Sequence, residues 1–384
     1  MSGLKQLVKK IPVVKNYRVK RWKQYSRRMM FSVEEVKQLE QEPHKIQRAL
    51  REHIKNSPDI SDDIEKELDN ILSRSYLSGT DRITDDLKLD MLFWYFAYGF
   101  SFNEYLCYQF IDKSRDERMQ FFSDRESVSL GYDMNDINDM MVFGDKMNTY
   151  YKYRTYFGRE AISVESESDF EKYRTFVCAH KRFVKKNVFK ACGQSVELID
   201  VDSFGKTEKE LFEYLLSEGK VILEEVVRQG LETSVFNESS VNTIRCITLK
   251  TKKEMLVPYC FMKIGRNGAF VDNGGAGGIL VGIDTKTGVL GTDGVDENGI
   301  RYSLHPDSKV KFKGYQLPEW DRMISMCKTM SEEMPTVRMI GWDMAYTDRG
   351  WIVIEGNALT EVIGPQSTWL QGIRGDVKEF YAKI

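Results

Sequence analysis

Apolar residues recur at helical spacing in the first third of the chain. Between residues 31 and 75 they lie three and four positions apart among charged residues, which predicts helices. Ser32, followed by Glu34 and Glu35, predicts a helix N-cap with acids in the first turn. Residues 84–113 continue this spacing but are rich in aromatic side chains, so we expect them to form a core rather than a ligand site.

The pattern changes near residue 140 to short helices and strands in alternation. We predict helices at 145–156, 169–179, 208–217 and 320–333, with Thr207 as the N-cap of the helix at 208–217. We predict strands at 182–184, 195–200, 221–227, 241–249, 255–264 and 281–284. This order favours the α+β class over a doubly wound parallel sheet. No G-x-G-x-x-G follows a strand, which argues against a dinucleotide-binding fold.

Near the C-terminus, two alternating apolar runs flank a polar Thr-Asp-Arg-Gly turn within residues 341–357. That pattern predicts a β-hairpin. If its loop is the three residues 348–350, with Gly350 in the left-handed conformation, then Thr347 faces Trp351.

The same register brings oxygen-bearing side chains together on the hairpin. Asp343 then faces Glu355, and period-two alternation places Asn357 on the face that carries Glu355. Two carboxylates and an amide are hard oxygen donors of the kind that Mg²⁺ shares with phosphates. The alternative is an edge hairpin whose acids simply face water.

Length and composition limit the class of protein. The chain has 384 residues, which suggests two or three domains. It contains no run of eighteen apolar residues and no secretory signal pattern. The cysteines lack CxxC or zinc-like spacing, so we expect reduced thiols in a cytoplasmic protein. They are Cys107, Cys178, Cys192, Cys246, Cys260 and Cys327.

Residues 1–30 form a basic arm that contains lysines and arginines but no acid, interleaved with apolar residues. Such a segment can lie on an anionic membrane surface at the inner face of the cell, where each cation adds about 1 kcal/mol. A solvated arm, or a helix packed on the body, explains it equally well. Nucleic acid is the least favoured partner.

Lysines, acids and an arginine at strand ends are the other candidates for chemistry. Lys185 and Lys186 precede a small-residue loop, as suits phosphates, and Lys146 could add a second cation, although solvated lysines explain all three. The strand ending in Glu224 and Glu225 could form a nucleotide hinge that extends to Val227, or could run out into solvent.

The strand at 241–249 carries an arginine among apolar residues. Alternation places Asn242 on one face and Arg245 on the other. Arg245 needs a partner, which could be a phosphate, a substrate carboxylate or a structural salt bridge. The glycine-rich loop at 274–278 allows close approach of backbone to a ligand. His180 and His305 are expected to be structural.

The order of these motifs along the chain resembles that of the ATP-grasp superfamily, and their residues resemble those of its sugar-transfer-associated branch. In that branch the lysine strand is similar to F-V-x-K-P-x-x-x-x-C-G-x-G and the hinge to E-E. The next strand is similar to S-x-N-T-I-R, the glycine-rich loop to D-N-x-x-x-G-G, and the hairpin to G-W-D-x-A…E-G-N. The likeness covers about residues 85–375. It departs from the pattern at Asn187, which replaces proline, and at Ser195, which replaces glycine.

The resemblance assigns roles residue by residue. Lys186 is favoured over Lys185 as the phosphate lysine by its distance to Cys192-Gly193. The implied assignments are Lys146, Lys186, Glu224, Glu225 and Val227 for ATP, Asn242 and Arg245 for catalysis, and Asp343, Glu355 and Asn357 for metal. It implies an ATP-grasp fold in which two α+β subdomains, at 136–227 and 228–384, grip ATP, preceded by a helical region at 31–135.

The resemblance also implies a reaction. The γ-phosphoryl group of ATP passes to a carboxylate, and an amine attacks the acyl phosphate to give an amide, with one or two Mg²⁺ ions for which Mn²⁺ could substitute. The branch points to a sugar acid or amino acid in surface-polysaccharide biosynthesis. The glycine-rich loop could close over the site. There are two alternatives. One is a kinase acting on a sugar hydroxyl, and the other is a non-catalytic nucleotide-binding scaffold for membrane-associated glycosyltransferases.

The basic arm yields the first prediction. Deleting residues 1–30 should reduce binding to anionic vesicles, because the deleted segment supplies cations and no acid, and should leave ATP turnover intact. Co-sedimentation with vesicles, alongside an ADP-release assay, measures both quantities. Unchanged vesicle binding would rule out membrane contact through the arm.

Overall fold

The computed structural model describes residues 30–56, 63–187, 196–272 and 277–384. Three sequence predictions therefore fall largely outside the described residues. They are the basic arm at 1–30, the loop that follows the Lys186 strand at 188–195, and the glycine-rich loop at 274–278, of which 274–276 are not described.

The first part of the described chain is helical. Its helices are α1 (Val33–Gln41), α2 (Ile46–Asn56), α3 (Ile64–Arg74), α4 (Asp85–Tyr98), α5 (Phe102–Cys107), α6 (Arg115–Arg118) and α7 (Asp124–Met134), with short 3₁₀ turns at Pro43–Lys45 and Phe110–Asp112. Ser32 caps α1 in a capping box with Glu35, which confirms the predicted N-cap. The aromatic side chains of α4 and α5 lie in one hydrophobic core, as predicted.

The second part contains a four-stranded antiparallel sheet with helices. The elements are α8 (Lys146–Lys152), α9 (Arg154–Phe157), β1 (Ala161–Val164), α10 (Phe170–Ala179), β2 (Arg182–Asn187), β3 (Val196–Asp200), α11 (Glu208–Ser217) and β4 (Val221–Glu225), with 3₁₀ turns at Asp139–Gly144 and Glu167–Asp169. The strand order is β1-β4-β2-β3. Thr207 caps α11 as predicted.

The third part contains a seven-stranded antiparallel sheet. The elements are α12 (Leu231–Ser234), β5 (Thr243–Lys250), β6 (Met255–Ile264), β7 (Ile279–Ile283), β8 (Gly294–Val295), β9 (Arg301–Tyr302), α13 (Trp320–Glu332), β10 (Met339–Thr347), β11 (Gly350–Asn357), α14 (Ile363–Trp369) and α15 (Arg374–Lys383). The strand order is β11-β10-β5-β6-β7-β8-β9, so β11 is an edge strand. The predicted α+β fold with a helical N-terminal region is confirmed.

The helical region is fastened to the larger sheet through buried polar contacts. The backbone N–H of Phe122 donates to Gln366 Oε1 at 2.7 Å, and Gln366 Nε2 donates to the carbonyl of Phe122 at 2.8 Å. Gln366 is fully buried, so each of these bonds would be costly to lose. Asn103 Nδ2 also donates to the carbonyl of Glu297 at 2.8 Å. The helices therefore reach the loops at the far end of the larger sheet.

The hairpin of β10 and β11 differs from its predicted form in one respect. Gly350 has a φ of 98°, as predicted, but Thr347 pairs with Gly350 rather than with Trp351, so the predicted pairing at the loop is wrong. Asp343 nevertheless pairs with Glu355, because the register shifts by one residue between Asp343 and Met344. This β-bulge compensates for the shorter connection.

Two further observations complete the fold. Within the described ranges, no helix combines the length and apolarity needed to cross a bilayer. The described cysteines are free thiols, four of them buried and Cys178 exposed, whereas Cys192 lies outside the described residues.

Candidate active site

A cleft of about 1090 Å³ lies between the two sheets. Nine of the ten predicted site residues line it, and only Asn242 does not. Its lining also includes Asn103 and Cys107 from the helical region, with Glu297 at the same end. The cleft therefore joins all three parts of the chain.

On the side of the smaller sheet, the cleft contains a buried carboxylate between two cations. Lys186 Nζ lies 3.0 Å from Glu224, and Arg159 Nε donates to Glu224 Oε2 at 2.8 Å. Burial by itself would raise the pKa of Glu224, but Arg159 and Lys186 outweigh it and hold the pKa at about 2. Glu224 therefore stays ionised and is bound to side chains of the protein.

Strand alternation separates the two neighbouring lysines of β2. Lys186 lies on the face that lines the cleft. Lys185 lies on the opposite face, where its Nζ is 2.6 Å from Glu197 and donates to the hydroxyl of Tyr214 at 2.9 Å. Lys186 is therefore the lysine of the pair that can reach a ligand in the cleft. Lys146, at the start of α8, also lines the cleft.

The hinge residues lie where β4 ends. Glu225 lines the cleft and accepts a hydrogen bond from the backbone N–H of Glu160 at 3.1 Å. Val227 lies two residues beyond the end of β4, not within the strand as predicted, and still lines the cleft.

On the side of the larger sheet, a second buried carboxylate lies between two cations. Arg245 Nε donates to Asp343 Oδ1 at 2.5 Å and Nη2 to Oδ2 at 3.0 Å, while Lys263 Nζ donates to Oδ2 at 3.0 Å. Asp343 is 2 % exposed. Burial opposes ionisation, but the two cations hold the pKa of Asp343 well below its usual range. The structural salt bridge, one of the three partners considered for Arg245, is the contact that is present.

The hairpin residues offer a donor set that fits a magnesium ion. Asp343 and Glu355 are direct cross-strand partners, and Asn357 Nδ2 donates to Glu355 Oε1 at 3.2 Å. Over the described parts of the chain, no three acidic, histidine or cysteine side chains converge into a metal site. Two carboxylates and one amide suit Mg²⁺ that takes its remaining ligands from phosphate and water.

Asn242 is separated from the other predicted site residues. Its Nδ2 donates to the carbonyls of Thr233 and Asn237, each at 2.9 Å. Its Oδ1 accepts from Ser240 Oγ at 3.1 Å and from the N–H of Gly265 at 3.2 Å. The amide of Asn242 is thus fully used and fastens the loop before β5. The predicted alternation is correct, since Arg245 lines the cleft and Asn242 does not.

The two histidines have structural contacts, as expected. His180 Nε2 lies 2.9 Å from Glu160 Oε2. His305 is fully buried and its Nε2 lies 3.0 Å from the carbonyl oxygen of Gly265. Neither side chain lines the cleft.

Sequence reasoning missed two buried cations of the site, Arg159 and Lys263. Lys263 is a basic residue within the largely apolar β6, so the argument applied to Arg245 would have found it. Arg159 follows a short helix and a glycine and carries no pattern that points to the cleft. Its importance appears only through contacts with residues distant in sequence.

Comparisons with known proteins give one family and several structural likenesses. A family model described as sugar-transfer associated ATP-grasp matches residues 132–381. No curated protein matches the sequence. The chain is similar in structure to the ATP-grasp ligase PsnB complexed with minimal precursor, with 11 % identity, 65 % of this chain and 64 % of that chain covered, and a TM-score of 0.41. The match thus spans less than two thirds of the PsnB chain.

Two other solved structures show likeness of the same order. D-cycloserine synthetase DcsG is 13 % identical over 64 % of this chain and 73 % of that chain, with a TM-score of 0.38. D-alanyl-alanine synthetase A from Vibrio cholerae O1 biovar eltor str. N16961 is 11 % identical over 63 % of each chain, with a TM-score of 0.39.

The buried Glu224 predicts a specific dependence of stability on pH. Its folded pKa of about 2 lies below the ordinary glutamate pKa of 4.5, so the ionised form stabilises the fold. This stabilisation is complete above the unfolded pKa and is lost as the pH falls through the folded value. Glu224→Gln should therefore have a lower free energy of unfolding than the wild type at neutral pH. This difference in free energy should shrink as the pH falls from about 4.5 to about 2.

Urea unfolding of the two proteins at several pH values measures this difference directly. Glu225→Gln is the matched control, because Glu225 is only partly buried and lies one residue away. If the free energies of unfolding of the wild type and Glu224→Gln differed by the same amount from neutral to acid pH, the ion pairs of Glu224 with Arg159 and Lys186 would be contradicted.

Proposed function

Because the chain belongs to the sugar-transfer associated ATP-grasp family, we propose that it is an ATP- and Mg²⁺-dependent carboxylate–amine ligase. One observation carries this proposal. Lys186 lines the cleft on one sheet, and the oxygen donors Asp343 and Glu355 line it on the other. A nucleotide between the sheets would contact a cation and a metal site at once.

ATP is proposed to lie along the smaller sheet. The adenine would lie beside Val227, whose backbone N–H donates no hydrogen bond to any residue in the described part of the chain. Glu225 lies next to it and could accept a hydrogen bond from the ribose. Lys186 and Lys146 would bind the phosphates as point charges, which is the role that lysine commonly has at phosphates.

The metal ligands are proposed to be Asp343, Glu355 and Asn357. Mg²⁺ held there would neutralise the negative charge that phosphoryl transfer gathers on the phosphate oxygens. Arg245 and Lys263 are bound to Asp343 beside the proposed metal site, and their positive charges would also stabilise a γ-phosphate and an attacking carboxylate placed there. These residues would bind and orient the substrates and neutralise their charges, and no nucleophile from the protein is needed.

The proposed reaction has two steps. A substrate carboxylate oxygen attacks the γ-phosphorus of ATP, the bond to the β-phosphate oxygen breaks, and ADP leaves. An amine nitrogen then attacks the acyl carbon, loses a proton, and phosphate departs with the electron pair of the C–O bond. The cleft walls exclude water from the acyl phosphate, which would otherwise hydrolyse.

The acceptor is proposed to enter at the end of the cleft formed with the helical region. Asn103 and Cys107 line that end, and the family match begins only at residue 132. This wall is therefore built from residues outside the matched family segment. From the family's association with sugar transfer, we infer that the carboxylate is a sugar acid or amino acid of surface-polysaccharide biosynthesis. Peripheral membrane contact is proposed from the mixed basic and apolar residues of the arm at 1–30.

The direct test combines protein, ATP and Mg²⁺ with uronic-acid sugars, amino acids and amines, and adds hydroxylamine to trap an acyl phosphate. ADP release together with a hydroxamate is the expected result. A stable phosphate ester, identified by product mass, would support a sugar kinase instead. Absence of ADP release and of hydroxamate across a broad panel would count against the ligase. The scaffold would be favoured if, in addition, Asp343→Asn left the function of the protein in the cell intact.

The two lysines of β2 provide a matched pair for the nucleotide site. Lys186→Met should weaken ATP binding about tenfold or more, because it removes a charged hydrogen bond to phosphate. Lys185→Met removes the same charge from the opposite face of the strand and should leave ATP affinity unchanged. Titration with a fluorescent ATP analogue measures both dissociation constants. Equal losses in the two variants would refute the assignment of Lys186.

A further inference from the structure

Arg159 connects the two sheets through a single buried guanidinium. Its Nε donates to Glu224 Oε2 at 2.8 Å, at the end of β4 in the smaller sheet. Its Nη1 and Nη2 donate to the carbonyls of Val353 at 2.6 Å and Ile354 at 3.0 Å, on β11 of the larger sheet. The side chain is 3 % exposed. A buried arginine with partners on both sides fixes their separation.

The turn that carries Arg159 is held close against β11. Gly158 has a φ of 58°, which favours glycine, and a Cβ added to it would lie 2.6 Å from Ile352 Cγ2. Arg159 Nη1 also donates to the carbonyl of Phe157 at 3.3 Å, within the same turn. The guanidinium is thus presented to β11 by a backbone with little freedom to move away.

The carbonyls that Arg159 binds belong to the irregular part of β11. Met344 pairs with Val353 and Asp343 with Glu355, so Ile354 is the extra residue of the bulge. Because β11 is an edge strand, its outer carbonyls have no neighbouring strand to bind them. Arg159 supplies the missing donors at the bulge itself.

The bulge determines which way Glu355 points. Without the extra residue, Ile354 would pair with Asp343, and Glu355 would turn to the opposite face of the sheet. Bulges near active sites commonly redirect a side chain in this manner. Arg159 therefore stabilises the backbone conformation that keeps Glu355 beside Asp343.

Glu224 extends the connection to the nucleotide side. Its carboxylate binds Arg159 and Lys186 together. We propose that Arg159 is a positioning residue that couples the nucleotide site at Lys186 to the metal ligand Glu355. This inference rests on the proposed function, since it assigns the two ends of the connection to ATP and to Mg²⁺. Arg159 is assigned a role through Glu224 and β11 and not through a contact of its own with either ligand.

The coupling is tested with Arg159→Lys in the full chain. Lysine keeps a positive charge beside Glu224, but one ammonium group cannot also bind the carbonyls of Val353 and Ile354 as the planar fork does. The dissociation constant of Mn²⁺, measured by electron paramagnetic resonance with saturating ADP, should rise about tenfold or more, as typical for loss of a group that orients a metal ligand. Metal-free ADP affinity should change much less.

Arg174→Lys is the matched control. Arg174 lies on α10 outside the cleft, its side chain is 48 % exposed and its Nε donates to Glu208 at 2.9 Å, so this change should leave both affinities unaltered. Arg159→Met, which removes the charge as well, should weaken both Mn²⁺ and ADP binding.

Each outcome separates the inference from the proposed function. If wild-type protein binds neither ADP nor Mn²⁺, the proposed function fails. If wild type binds both and Arg159→Lys binds Mn²⁺ with unchanged affinity, the coupling is overturned. Equal loss of ADP and Mn²⁺ binding in Arg159→Lys, with a lowered unfolding midpoint, would show a general structural role and would also overturn it.

Discussion

Burying a carboxylate costs several kcal/mol unless cations lie beside it, and the cleft is built around two buried carboxylates. Glu224 lies between Arg159 and Lys186, and Asp343 lies between Arg245 and Lys263. In each cluster the partners come from different strands or segments, so the charges are balanced only when the surrounding backbone is in place. The need to neutralise these two acids therefore specifies the geometry of the cleft.

Local patterns in the sequence were sufficient for most helices and strands. Thr207 and Ser32 were recognised as caps, and alternation placed Arg245 and Asn242 on opposite faces of their strand. The choice of Lys186 over Lys185 came from the motif spacing of the family resemblance. The hairpin is more instructive. The predicted pairing of Thr347 with Trp351 was wrong, yet Asp343 does face Glu355, because an unpredicted bulge shifts the register by one residue. Patterns of alternation cannot reveal a bulge, since it depends on contacts made elsewhere.

Those contacts are what the sequence could not supply. Arg159 is separated by roughly two hundred residues from the β11 carbonyls that it binds, and nothing local marks it. Asn242, predicted as a site residue, does not line the cleft for a related reason, because its amide donates to the carbonyls of Thr233 and Asn237. Whether a polar side chain is available to a ligand depends on hydrogen bonds that are decided by the tertiary fold.

The contacts of Asp343 have a consequence for the order in which the proposed ligands would bind. Arg245 and Lys263 occupy both carboxylate oxygens of Asp343, so a divalent cation entering alone would have to compete with two cations already in place. Phosphate oxygens entering with the metal would offer Arg245 and Lys263 new partners and leave the oxygens of Asp343 to the metal. Electrostatics therefore favours joint entry of the proposed metal and nucleotide, and by linkage each would raise the affinity of the other.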